Sequence, residues 1–142
     1  MLGDNPNILP SMSNFLLQEV DKFNTFLAII KKTLDMLEKA IKGFISMNED
    51  LDEMVVAFSL NQIPRVWRKY CYETLKPLSG WLVDFKNRVE FLREWMVASP
   101  AAYWISCFFF PQGLLTAILQ THARKTKIPI DTLSFKFKVV DV

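Results

Sequence analysis

Few residues in this chain are of the types that do chemistry. Cys71 and Cys107 are the only cysteines, and His122 is the sole histidine. A cysteine can be a nucleophile when a histidine serves as its base and a third group orients that base. Nothing marks Cys71 as activated, and no orienting partner for His122 is apparent in the sequence. A helix-terminal or loop histidine is the plainer reading of His122. Two cysteines far apart and one histidine also lack the spacing of a metal site. Asp50, Asp52 and Glu53 crowd one short stretch. Negative charge there suits the positive end of a helix, so a solvated helix start is preferred to a carboxylate site. The four glycines are scattered and no G-x-x-x-x-G-K-[ST] occurs, so no phosphate cradle is expected. The aromatic run Tyr103–Phe110 could stack on bases only with interleaved Arg and Lys, and it has none. The expectation is no catalytic set, no cofactor, no metal and no nucleic-acid partner, with the aromatic run serving as core or interface.

Composition agrees with a packed domain. The 142 residues suffice for one domain with a modest core. Half of them (51%) are apolar and 13% aromatic, with twelve Phe and four Trp, which is too hydrophobic for disorder. A monomer this small would struggle to hide so many rings, so some apolar surface is expected to meet a partner. Lys plus Arg number 17 against 15 for Asp plus Glu, a net charge of +2, and the signs are interleaved. Met1 to Pro10 lacks the charged and apolar regions of a signal peptide. Two reduced thiols in a cytosolic protein are therefore expected rather than a disulfide. From Trp95 to Ala123 no formal charge occurs, which is long enough to span a bilayer. Pro111-Gln112-Gly113 breaks that segment in its middle, where a spanning helix needs its backbone bonds satisfied, so no membrane span is expected.

The elements follow from periodicity. Residues 1–12 read as a flexible loop. Leu16, Val20, Phe23, Leu27, Ile30, Leu34, Leu37, Ile41 and Phe44 alternate spacings of four and three, which predicts a long amphipathic helix. Ser13 or Asn14 would cap it and Gly43 would stop it. A coiled coil is the rival for such a seam. Phe23, Phe44 and the dense apolar sequence downstream favour packing within the domain. A second helix is predicted over Asn48–Leu60, capped by Asn48, with Leu51, Met54, Val55 and Phe58 as its apolar face. Residues 61–80 read as irregular. A third helix is predicted over Ser79–Val97, burying Trp81, Leu82, Phe85, Val89, Leu92, Trp95 and Met96, with Lys86 and Glu90 paired outside. Pro111 suits the first turn of a fourth helix with Leu114, Leu115, Ile118 and Leu119 on its face.

Two segments read as extended. Three consecutive Phe at 108–110 cannot all face one way, so Tyr103–Phe110 is expected to be a doubly buried strand or an extended segment in a crevice. Leu133, Phe135, Phe137 and Val139 alternate with Ser134, Lys136, Lys138 and Val140, the pattern of a half-buried strand. Little else offers that strand a partner, and a two-stranded ribbon is marginal. Its unpaired N–H and C=O groups imply that further structure follows Val142. The fold class is thus mainly α, about four helices with one or two short strands, the last strand unpaired within the chain.

Tyr103-Trp104-Ile105-Ser106-Cys107-Phe108-Phe109-Phe110-Pro111-Gln112-Gly113-Leu114-Leu115-Thr116 resembles the W-[IL]-S-G-F-F-F-P-Q-G-F-L-T signature of axonemal dynein heavy chains. Leu119–Lys125 and Ile128–Asp131 continue the resemblance. Upstream, Gln18-Glu19 with Phe23-Asn24 is similar to the family's L-x-Q-E-x-x-R-F-N, and Lys39–Gly43, Leu75–Leu78 and Trp81 with Asp84 also match. Cys107 and Ala117 stand where the family usually has Gly, Glu73-Thr74 where Pro-Ser is usual, and Leu114 in place of an aromatic. The resemblance covers Ser11 to Val139.

The resemblance implies that residues 13–142 are part of the C-terminal region of a dynein heavy chain, its helical part plus a first strand. In that family the region packs on the AAA+ motor ring, and the nucleotide sites, stalk and microtubule-binding tip lie elsewhere. It implies a non-catalytic structural role in ciliary, microtubule-based movement. The implied partners are the AAA+ ring of the same or a parent heavy chain and possible subunits of the dynein complex, with microtubule contact only through the parent motor. The implied location is the cytoskeleton of the ciliary or flagellar axoneme. Trp81, Trp104, Phe108, Phe109, Phe110 and Leu115 are the candidate core or docking residues. The alternative is a free-standing helical adaptor that binds a partner helix through the 16–44 seam.

Overall fold

The computed structural model describes residues 10–140. Five helices follow one another: α1 Pro10–Ile41, α2 Glu49–Ser59, α3 Arg65–Arg68, α4 Leu78–Val97 and α5 Pro111–Thr126. Single 3-10 turns at Ile105–Cys107 and Ile130–Thr132 complete the regular structure among the described residues. The loop expected over 1–12 falls mostly on residues outside those described. Helix α1 opens with Pro10, a residue suited to a first turn, so Ser13 and Asn14 lie inside the helix and do not cap it.

Helix ends follow their local chemistry. Gly43 takes a left-handed φ of 80° beyond α1. There its N–H donates to Ala40 O and the Phe44 N–H donates to Lys39 O, the paired bonds of a Schellman stop. Asn48 caps α2 by accepting the Leu51 N–H at 2.9 Å. Lys127 ends α5 in the left-handed region at φ 57°.

The expectation of one or two strands is overturned: no strand occurs among the described residues. Leu133 makes the last backbone bond of the C-terminal segment, to Ile130 O. Beyond it no regular element follows as far as Val140, and Phe137 and Val139 are 87% and 93% exposed. Alternating side chains define two faces, but a strand exists only when a neighbour takes its N–H and C=O groups. The Tyr103–Phe110 run is not that neighbour. It turns once as a 3-10 helix and sends the Phe109 and Phe110 N–H groups to a side chain on α1. The helix count also rises from four to five. Pro64 starts the short α3 inside the segment read as irregular, its carbonyl accepting the Arg68 N–H at 2.9 Å.

Helix α1 is the axis of the core. Its buried face is Met12, Phe15, Leu16, Glu19, Phe23, Phe26, Leu37 and Ala40. The predicted seam lies partly off this face: Leu27 and Leu34 are 38% and 40% exposed, and Ile41 and Phe44 are 70% and 77% exposed. A seam averaging 3.5 residues drifts by about 20° per heptad on a straight helix, so it cannot follow one fixed surface for nine members. Phe15 and Phe26, off the seam, take the buried places instead. Across α1 run α4 and α5. Trp81, Phe85, Leu92 and Trp95 bury one stripe of α4, and Leu114 and Ala117 bury one of α5. On α4 the exposed ion pair joins Arg93 to Glu90 at 3.7 Å rather than Lys86 to Glu90.

Candidate functional site

Aromatic rings form a continuous series through the core. Phe26 meets Trp81 and Phe85 at centroid distances of 5.9 and 5.3 Å, and Trp81 stacks on Phe85 at 5.1 Å. Phe15 meets Phe108 edge to face at 5.0 Å, and Trp95 meets Phe108 at 5.8 Å. Phe109 meets Phe23 at 4.9 Å and Tyr72 at 5.7 Å. Such pairs add about 0.5–1.5 kcal/mol each beyond the area they bury. They also explain the three consecutive phenylalanines. Phe108 is buried between α1 and α4, Phe109 is half-buried against Phe23, and Phe110 is 52% exposed.

Two buried carboxylates organise the polar groups inside this apolar mass. Glu19 is 1% exposed on α1. Its oxygens accept the Phe109 N–H at 2.8 Å and the Phe110 N–H at 3.1 Å. Pro111 follows at once as the first residue of α5. Glu19 therefore fixes the backbone that leads into α5 and sets a negative charge beside that helix's positive end. Lys22 lies 3.9 Å from the carboxylate and is half exposed to water, so it adds little.

Asp84 is 8% exposed on α4 and receives three donors. The Tyr72 hydroxyl donates at 2.9 Å, Lys76 at 3.0 Å and the Arg88 Nε at 2.8 Å. Burial alone would raise the Asp84 pKa, but the hydrogen bonds from Lys76, Tyr72 and Arg88 outweigh it and hold the carboxyl below its ordinary value. Burial pushes the Tyr72 phenol well above its usual range, with Asp84 reinforcing the effect. Arg88 lies over the Tyr72 ring at 3.7 Å and donates to Ser106 O. It thereby ties α4 to the Tyr72 segment by stacking and to the segment before Phe108 by a hydrogen bond.

The thiols are not built for reaction. Burial raises the Cys71 pKa, and Cys71 Sγ accepts the Trp81 indole N–H at 3.2 Å. Cys107 is fully buried and pushed up to about 12, chiefly by burial. A thiol held protonated is a poor nucleophile. His122 is exposed on α5, and no hydrogen bond joins it to Cys71 among the described residues. The acidic cluster at α2 has a structural use: the Glu53 carboxylate accepts the Arg65 N–H at 3.1 Å, starting α3, and Asp50 pairs with the Arg65 side chain at 3.3 Å. Among the described residues no three metal-ligating side chains gather, and no helix is long and apolar enough to cross a membrane.

The six candidate residues divide by place. Trp81 and Phe108 are buried, Trp104, Phe109 and Leu115 half-buried, and Phe110 exposed. Sequence reasoning assigned no role to Glu19, Asp84 or Arg88. A signal for Glu19 existed: it stands three residues after Leu16 and four before Phe23, on the apolar side of a helix where a carboxylate needs a partner.

A profile of the C-terminal domain of dynein heavy chains matches residues 5–142. This protein belongs to that family. It is 47% identical to dynein axonemal heavy chain 6 of Homo sapiens over 133 residues, 93% of this sequence and 3% of that one. It is 46% identical to dynein axonemal heavy chain 1 of Homo sapiens over 131 residues, covering 92% and 3% respectively. The Dynein-1-beta heavy chain of the flagellar inner arm I1 complex of Chlamydomonas reinhardtii is 39% identical over 141 residues, 99% of this sequence and 3% of its own length. The 142 residues thus span about 3% of the length of these relatives. Cys107 and Ala117, which stand where the resemblance has glycines, do not take a left-handed backbone, the only non-glycine positive φ values among the described residues being at Asn61 and Lys127. Both are buried.

Proposed function

We propose that this protein is a non-catalytic structural part of a dynein heavy chain, which packs on the AAA+ ring of the motor and supports ciliary, microtubule-based movement by the parent protein. The family match over residues 5–142 carries this reading. The axonemal relatives support a place in the cytoskeleton of a cilium or flagellum. Residues 13–142 then form the helical part of the C-terminal domain. The polar groups inside the core are consumed in holding segments together, which suits a scaffold. Exposed Ile41, Phe44, Leu75 and Val97 supply apolar surface for a ring contact. Chemical crosslinking of a parent motor tests the reading. Crosslinks from Lys31, Lys39 and Lys42 to AAA+ modules are expected, and crosslinks confined to the tail would overturn it. Binding of a fluorescent ATP analogue by the isolated 142-residue protein would overturn the non-catalytic role.

The adaptor reading draws on the same helix. Leu27, Leu34 and Ile41 remain exposed on α1 after the core has formed. Light scattering separates the readings: a compact, cooperatively melting monomer favours the adaptor, and aggregation relieved in a longer dynein polypeptide favours the ring-packed fragment.

A further inference from the structure

Helix α4 has no cap beside it in sequence. The residue before it is Pro77, whose ring carries no acceptor for the N–H groups of the first turn. Asn61, 18 residues before Ser79, supplies them instead. Asn61 O accepts the Leu78 N–H at 2.9 Å, and Asn61 Oδ1 accepts the Ser79 N–H at 2.9 Å. Its Nδ2 donates to Ser79 Oγ at 3.2 Å. A side-chain oxygen on the second helical N–H is what an N-cap residue ordinarily provides from next door. Asn61 provides it from a left-handed backbone, φ 54°, which asparagine tolerates better than most residues.

These bonds close the excursion of residues 62–77, whose two halves are held differently. The first half is fixed to the core. Ile63, Pro64 and Trp67 are buried, and the Trp67 indole N–H donates to Thr33 Oγ1 at 2.8 Å. The second half is not. Among the described residues, 72–76 make no backbone-to-backbone hydrogen bond, and Leu75 is fully exposed. This half borders a cavity of about 610 Å³ lined in part by Ile63, Arg68, Cys71 and Leu75. Tyr72 anchors its start, buried and donating to Asp84 at 2.9 Å. Lys76 also reaches Asp84, at 3.0 Å, but it is 54% exposed and holds weakly. The Asn61 bonds that fix its far end are exposed to water. Few backbone bonds, a neighbouring cavity and a solvent-exposed closure mark a segment that opens at low free energy.

We infer that Asn61 is the remote N-cap of α4 and the latch of residues 73–77. While its amide holds Ser79, the loop stays on the rim of the cavity. When it lets go, the loop lifts about Tyr72 and opens Cys71 to solvent while the core stays closed. The inference stands independently of the ring contact. Thiol labelling of the 142-residue protein tests it, with Cys107, fully buried, as the internal reference for opening of the core. Asn61→Gly keeps the left-handed backbone without steric cost and removes only the amide. It is expected to speed labelling of Cys71 about tenfold, the scale of a lost N-cap, and to leave Cys107 unchanged. Hydrogen exchange at the Ser79 N–H should quicken by a similar factor. Asn61→Asp keeps an acceptor for that N–H and should label at close to the parent rate. An unchanged Cys71 rate in Asn61→Gly overturns the inference. An equal rise at Cys107 does so too, since it would assign the effect to general loss of stability. Labelling of Asn61→Asp as fast as Asn61→Gly would remove the capping bond from the latch and overturn it as well.

Discussion

Glu19 on α1 holds the backbone N–H groups of Phe109 and Phe110, 90 and 91 residues further along the sequence, on one buried carboxylate. The contact joins the first helix to the start of the last. Replacing Glu19 by Ala leaves two N–H groups without an acceptor in an apolar site, at about 1–3 kcal/mol each. Glu19→Gln keeps one carbonyl acceptor and should lose about half as much. Urea unfolding of the two variants checks the ranking. An Ala variant as stable as the parent sequence would show that water replaces the carboxylate there.

Asp84 should impose an acid dependence. Its folded pKa lies below the unfolded value, so its contribution is present above the unfolded value, 3.8, and is lost as pH falls through the lower folded one. Asp84→Asn removes the charge that Lys76 and Arg88 face. The variant should be less stable at neutral pH, and the gap from the parent sequence should narrow as pH falls below 3.8 and close once the lower folded value is passed. A gap that stays unchanged throughout acid titration would assign the effect to packing rather than charge.

Gly113 should resist a methyl group. A Cβ there would lie 2.6 Å from the Phe110 ring and 3.1 Å from the ring of Phe15. Phe110 is half exposed and can swing away, whereas Phe15 is buried. Gly113→Ala gains about 1 kcal/mol of helix propensity and loses about 1–3 kcal/mol to crowding. A net loss is expected, smaller in a Phe110→Ala background. Equal losses in both backgrounds would place the strain wholly on Phe15.

The two thiols should be distinguishable by reagent. Cys107, fully buried and pushed up to about 12, should react with a disulfide reagent at about pH 8 only after unfolding. Cys71 is half-buried and should react in the folded protein, more slowly than a free thiol. Mass spectrometry of the labelled protein reads both. Early labelling of Cys107 would mean that the Ile105–Cys107 turn opens readily.

Trp81 is fully buried and touches Phe26, Trp67, Phe85 and the Cys71 sulfur. Trp81→Ala should cost about 3–5 kcal/mol. Trp81→Phe should cost less, since it keeps a ring against Phe85 and forfeits the indole N–H bond. Thermal melts of the pair test this, and similar losses for both would shift the weight from the ring to the N–H.

The sequence alone determined four of the five helices and several of their ends, because capping and periodicity act within a few residues; it missed the short α3 and the start of α1. Asn48 before an acidic first turn, Gly43 after an apolar seam and Pro111 ahead of Leu114 each specify a terminus locally. It also carried the family, through the Trp104–Thr116 signature. The tertiary structure decided which face of α1 is buried. Phe15, Phe26 and Glu19 displaced Leu34 and Ile41 because rings on α4 and backbone donors before α5 had to be accommodated. It also decided that Leu133–Val140, whose alternation reads as a strand, is none here. Alternation is a property of one segment, whereas a strand requires a second segment to share its hydrogen bonds. The roles of Asp84 and Arg88 were hidden for the same reason: they depend on Tyr72 and Ser106, brought to α4 only by the fold.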